Sequence, residues 1–201
     1  MNSKMFNKKF IHPVRNFYLL FLVFATTAIA QESRQDAFIS PVFKFQSAFN
    51  QASYVGGVRF GWVINNKIVI GGGFYSSLNS LLAGTSNSTD NPEALLSFNM
   101  GGLEVEYIFF ENESNHTSFL FFSGGSGLYY TTPDKSRINY SSETFLVWEP
   151  QIYSEVNLQK WLRIGIGVGY RFVSYTNQPA IRNGEQLKGM FGLLEIKFCT
   201  N

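Results

Sequence analysis

The chain is poor in charge, in cysteine and in histidine, and each shortage removes a class of protein. Charged residues make up 15% of its 201 positions, against about a quarter in ordinary soluble domains. A water-facing surface of the usual composition is therefore not available. The one cysteine, Cys199, cannot close an internal disulfide and supplies no thiolate pair for zinc. His12 and His116 are the only histidines, too few for a histidine metal site, and no cofactor or metal is expected. Beyond residue 30 no apolar run approaches the roughly 20 residues of a membrane-spanning helix, so any crossing falls to strands. What the chain has in plenty is aromatic residues, at 17%, and glycine, 18 in all.

The first thirty residues differ from the rest. Residues 1–16 carry Lys4, Lys8, Lys9 and Arg15 and no acid. Residues 17–30, FYLLFLVFATTAIA, are apolar and close on Ala28-Ile29-Ala30. A basic start, a short apolar stretch and a small-x-small exit predict a secretory signal peptide over residues 1–30. A short lead-in is expected over residues 31–36 and one domain over residues 37–199. Without the leader's four basic residues, 12 basic stand against 14 acidic, a formal charge of −2. That balance does not suggest a nucleic-acid partner.

Period-two alternation recurs along the remainder. In residues 161–173, Leu162, Ile164, Ile166, Val168, Tyr170 and Phe172 share one face, and Arg163, Gly165, Gly167, Gly169 and Arg171 the other. Residues 57–64, 103–109 and 190–198 behave alike, and 37–47, 67–78, 118–128 and 144–157 do so more weakly. That makes eight expected strands. After a modest first link over residues 48–53, the connections alternate short and long: Asn65-Asn66, 79–96, 111–115, 129–143, 158–160 and 174–188. Such an order predicts an all-β fold, an eight-stranded antiparallel up-and-down transmembrane β-barrel, with short periplasmic turns and long extracellular loops.

A soluble barrel would show the same period with its apolar face inward. Here the apolar faces are bulky, while the opposite faces mix glycine with Arg, Lys and Glu. An eight-stranded interior is just wide enough to be filled by side chains. Glycines suit such a lumen beside long charged chains, and on an outer face they would only weaken the strands. The polar faces are therefore assigned inward. They bring Lys44, Arg59, Arg163, Arg171 and Lys197 together with Glu104, Glu106, Glu149, Glu155 and Glu195. Five bases against five acids make a neutral interior, and buried charges have to pair. The expected role is a structural plug, and the alternative is a narrow channel for small solutes.

Aromatic residues are expected to ring both membrane interfaces. Trp62, Tyr107, Phe109, Trp161 and Phe198 fall at one end, and Tyr75, Phe145, Trp148, Tyr170 and Phe172 toward the other. The glycine runs at 71–73 and 124–127 lack the Lys-Ser/Thr ending of a phosphate loop and read as strand.

Over residues 37–198 this pattern resembles the small eight-stranded outer-membrane β-barrel superfamily. The resemblance implies a cell outer membrane location in a Gram-negative cell. It implies outer-membrane lipid and lipopolysaccharide as surroundings, and the outer-membrane assembly machinery as a partner during biogenesis. Such barrels often end on an aromatic residue; here Phe198 is followed by Cys199-Thr200-Asn201. Some members are lipid-A-modifying enzymes with a histidine and a Ser or acidic partner near the outer leaflet. His116, beside Glu113 and Ser114, falls instead at the periplasmic start of its strand and reads as part of a solvated turn. A non-enzymatic barrel acting through its extracellular loops is the expectation; its basic loop residues Lys135, Arg137, Arg182 and Lys188 read as solvated, with contact to lipopolysaccharide phosphates as the alternative.

Overall fold

The computed structural model describes residues 36–82, 95–111, 115–131, 143–175 and 183–200. The expected leader and the greater part of the long connections lie outside them. The described strands are β1 (Asp36–Ala48), β2 (Gln51–Ile64), β3 (Ile68–Ser77), β4 (Leu81–Leu82), β5 (Leu95–Glu111), β6 (Asn115–Thr131), β7 (Glu143–Gln159), β8 (Leu162–Ser174) and β9 (Gly189–Cys199). One short 3₁₀ helix, η1 (Asn183–Leu187), precedes β9.

Each long strand pairs antiparallel with its neighbour in sequence, β9 returns to β1, and β3 pairs with β5 to complete the ring. The result is a closed eight-stranded barrel with β4 as a two-residue addition to β5. Its strands run from 10 to 17 residues, enough for the roughly 9–11 that cross a bilayer. Closure leaves no unpaired edge, the condition for a sheet in hydrocarbon. Where the chain leaves β3, side-chain amides replace the ladder. Asn79 accepts from Tyr54 N and donates to Ala52 O, both at 2.8 Å. Gln51 bonds both Leu82 N and Leu82 O.

The first connection is tighter than expected. Phe49 and Asn50, with φ of 53° and 56°, turn the chain in two residues, a primed turn matched to the strand twist. The Gly56-Gly57 pair hides the start of β2 in the sequence, yet Ser53 and Val55 are already buried and Tyr54 exposed. Asn65 and Asn66, with φ of 52° and 56°, form the turn at the other end. The hairpin between β7 and β8 turns at Lys160-Trp161, because β7 runs on to Gln159 through an irregularity at 157–159. Strand β6 also begins earlier than the alternation suggests, at Asn115.

Burial alternates residue by residue, strictly so over 38–48 and 143–149. The exterior of the barrel is almost wholly apolar: Trp62, Phe74, Leu103, Ile152, Ile166 and Val168 are among the exposed side chains. Three outward glycines are covered by aromatic rings: a Cβ at Gly72, Gly101 or Gly192 would meet Phe60, Phe74 or Phe45 respectively. Such a surface is unstable in water, where contiguous apolar patches of more than a few hundred Å² are rare. It is the surface that a hydrocarbon solvent demands.

Candidate functional site in the barrel lumen

The inner faces of all eight long strands converge on one axis, and two groups of charged side chains meet there. The larger is built round Arg59 on β2. Its three nitrogens reach three different carboxylates: Nε to Glu104 at 2.8 Å, Nη2 to Glu106 at 3.0 Å and Nη1 to Glu195 at 2.7 Å. Lys197 pairs with Glu155 and stands 3.9 Å from both Glu106 and Glu195. The hydroxyl of Tyr153 accepts from Arg59 Nη1 at 3.2 Å and from Lys197 Nζ at 3.4 Å. Ser40 donates to Glu195 at 2.6 Å.

The smaller group has Glu149 at its centre. Lys44 Nζ lies 2.5 Å from Glu149 Oε2, Arg171 Nε lies 2.6 Å from Oε1, and Gln151 donates to Oε2 at 3.3 Å. Aromatic rings replace the water these cations have lost. Lys44 stands 3.8 Å from the Tyr75 ring centroid, and Arg171 lies 5.4 Å and 5.6 Å from those of Phe98 and Phe191.

Tyr75 joins the two groups. While its ring carries Lys44, its hydroxyl donates to Glu104 Oε1 at 2.5 Å. Gly73 makes room for this pair: a Cβ there would stand 2.7 Å from Glu104 Oε1 and 2.8 Å from the Tyr75 hydroxyl.

The structure brings nine of the ten sequence-assigned charges to 3% exposure or less: Lys44, Arg59, Glu104, Glu106, Glu149, Glu155, Arg171, Glu195 and Lys197. Arg163 stands apart. Its side chain is 19% exposed at the short-turn end and 3.8 Å from Glu155.

The interior is not polar throughout, and here the sequence reading needs correction. Toward the long-connection end the inward positions are filled by Phe49, Leu81, Leu96, Leu128, Phe145 and Leu187, all part of one buried cluster. At the opposite end Phe38, Val69 and Ile108 form a second, smaller cluster with Val63 and Cys199 packed against it. Tyr75 and Phe145 were expected in the outer aromatic ring. Both are 3% exposed and face inward, because they share strand parity with Gly73 and with Glu149. Trp148, Tyr170 and Phe172 are outside at that end, and Trp62, Tyr107, Phe109, Trp161 and Phe198 at the other. Ile64, which the alternation of Val58, Phe60 and Trp62 places on the outward face, is buried beside the turn.

His116 is likewise not in a solvated turn. It is the second residue of β6, 5% exposed, with Glu155 as its cross-strand neighbour on β7. Glu113, Ser114, Lys135, Arg137 and Arg182 lie outside the described residues. Lys188 is exposed and 3.6 Å from Glu185.

At the long-connection end Glu143 on β7 holds η1 in place. Its Oε2 accepts from Tyr175 at 2.9 Å and from Gly184 N at 3.2 Å. Burial, and then the hydrogen bond to Glu143, raise the Tyr175 phenol well above its ordinary range. Leu187 follows into the apolar cluster at 1% exposure.

Among solved structures the barrel resembles the N-terminal β-barrel domain of Pseudomonas aeruginosa OprF, with a TM-score of 0.57 and 6% identity. That match covers 82% of this chain and 97% of that one. Neisserial surface protein A also gives a TM-score of 0.57, at 10% identity, covering 84% of this chain and 97% of that one. No family model and no curated protein sequence matches the chain. At such identities the likeness is one of architecture. With its closed ring of eight antiparallel strands, apolar exterior and charged interior, the chain has the fold of the small outer-membrane β-barrels.

Proposed function

We propose that this protein is a non-conducting outer-membrane barrel that acts structurally or through its outward-facing connections. The observation that supports a closed lumen is the layering of its interior. Four basic and five acidic buried side chains pair with one another, with apolar side chains closing the lumen toward each end and Arg163 at the short-turn rim. A permeating ion would have to cross both apolar layers, and an isolated charge in such surroundings is very costly. It would also have to break ion pairs whose separate members are costly to strand.

The proposed orientation puts the Asn65-Asn66 and Lys160-Trp161 turns in the periplasm and η1 outside. Lipopolysaccharide surrounds the outer half, and the assembly machinery receives the chain through β9. The reading involves no catalysis. His116 lies at the periplasmic end of β6, at the far side of the membrane from the outer leaflet.

Conductance of the folded protein in a planar bilayer tests the closed lumen. No discrete steps are expected at neutral pH; regular steps of one size would establish the narrow-channel alternative.

A further inference from the structure

The outer face is not evenly covered. A shallow, open groove of about 770 Å³ crosses β2, β1, β9, β8 and β7. Its centre is one cross-strand row in perfect register: Tyr54, Phe45, Gly192, Val168 and Ile152. Gly192 is the one member without a side chain, and the Phe45 ring leans over it. Met190 forms the upper wall and is 70% exposed. Met190 is the second residue of β9 and Ile152 lies mid-way along β7. The groove therefore descends from the η1 end toward the membrane centre, within the apolar exterior.

We infer that this groove seats one acyl chain of an anionic outer-leaflet lipid whose phosphate meets Lys188. The inference rests on the outer-membrane reading above. Lipid tails are as apolar as the groove, so apolar surface alone gives a chain no reason to leave the bulk bilayer. Retention requires shape together with a polar anchor, and both occur here. Lys188 immediately precedes Gly189-Met190, and Gly189 lies beside Ser47, which also lines the groove. Lys188 is exposed, and its bond to Glu185 is a surface pair at 3.6 Å that costs little to exchange. Gly189, with φ of +151°, stands between the cation and the apolar wall at the rim.

The test uses the protein purified from membranes in detergent, stripped of lipid and examined by native mass spectrometry. The probes are a hexa-acylated bis-phosphorylated lipid A and dioleoylphosphatidylcholine. Wild type should retain one lipid A and little phosphatidylcholine. Lys188→Gln should weaken retention about fivefold, the equivalent of about 1 kcal/mol for one cation near an anionic surface. Met190→Trp, which fills the groove, should abolish it. Leu103→Trp, on the exposed face of β5, should change nothing. Equal retention in Met190→Trp and wild type, equal retention of the two lipids, or a lipid-free dimer on this face would each overturn the inference. A gel shift between unheated and boiled samples is checked first: without it the membrane reading fails, whereas with it and no bound lipid only the groove assignment fails.

Discussion

Tyr75 donates a 2.5 Å hydrogen bond to Glu104 from beneath the ammonium of Lys44, 3.8 Å from its ring. One side chain thus touches both charged groups of the lumen. The group round Glu149 has two cations to one anion, and the group round Arg59 has, with Arg163, three cations to four anions. Neither is neutral alone, and Tyr75 is the contact through which they meet. Tyr75→Phe keeps the ring under Lys44 and removes the donor to Glu104. It should destabilise the barrel by about 1–3 kcal/mol, the cost of leaving a buried acceptor unsatisfied. A cycle of Lys44→Met and Glu104→Gln should show coupling in the wild type that shrinks in a Tyr75→Phe background. Urea unfolding in lipid vesicles measures both, and additive behaviour in the wild type would separate the two groups.

The strand order and the inward charges could be read because charge fixes parity. A Glu or Arg in a strand of otherwise apolar residues marks the inner face, and every second residue follows it. Phe145 and Val147 could have been placed inside by counting back from Glu149, and Phe98 and Met100 by counting back from Glu104. They were missed because stretches such as Thr144-Phe145-Leu146-Val147 are apolar on both faces, so local pattern has no preference. Strand β6 carries no inward charge to set its parity, which is why His116 was misread. Which carboxylate meets which cation was not legible at all. Arg59 and Glu195 are 136 residues apart in sequence, and only barrel closure brings β2 and β9 to the two sides of β1.

The orientation predicts labelling. In a Cys199→Ser background, Asn65→Cys and Gln159→Cys should be protected from an impermeant thiol reagent on intact cells, and Asn183→Cys should react. Reversal of that pattern would invert the barrel.

Export predicts a processed chain. The basic start and the Ala28-Ile29-Ala30 exit place the cut before Gln31. N-terminal sequencing of protein from membranes should begin there, and retention of Met1 would refute cleavage.

The clasp on η1 predicts an alkaline weakness. The Tyr175 phenol is held above its ordinary range by burial and by Glu143, so its neutral form is the one the fold favours. Its contribution is complete below the unfolded phenol value of about 10 and is lost as pH rises beyond it. Hydrogen exchange at Gly184 should therefore quicken more steeply above that pH in wild type than in Tyr175→Phe, once the intrinsic base dependence is divided out. Parallel curves would show that the clasp does not depend on the phenol proton.

Position along the lumen should set the cost of losing a charge. Arg59→Leu leaves Glu104, Glu106 and Glu195 facing one another without the cation that holds them. About 3–5 kcal/mol is expected, the range for a buried ion left without its partner. Arg163 is partly exposed and 3.8 Å from Glu155, so Arg163→Leu should cost no more than about 1 kcal/mol, as surface pairs do. Arg59→Lys tests geometry apart from charge. An ammonium cannot reproduce a planar fork that reaches three carboxylates, so this variant should fall between wild type and Arg59→Leu. If these charges faced lipid instead, truncation would stabilise the barrel by about 2–4 kcal/mol near the midplane. The sign of the change in Arg59→Leu, read from urea unfolding in vesicles, therefore decides which face of β2 is inside. The difference between Arg59→Leu and Arg163→Leu then decides whether the network derives its strength from burial or from charge alone.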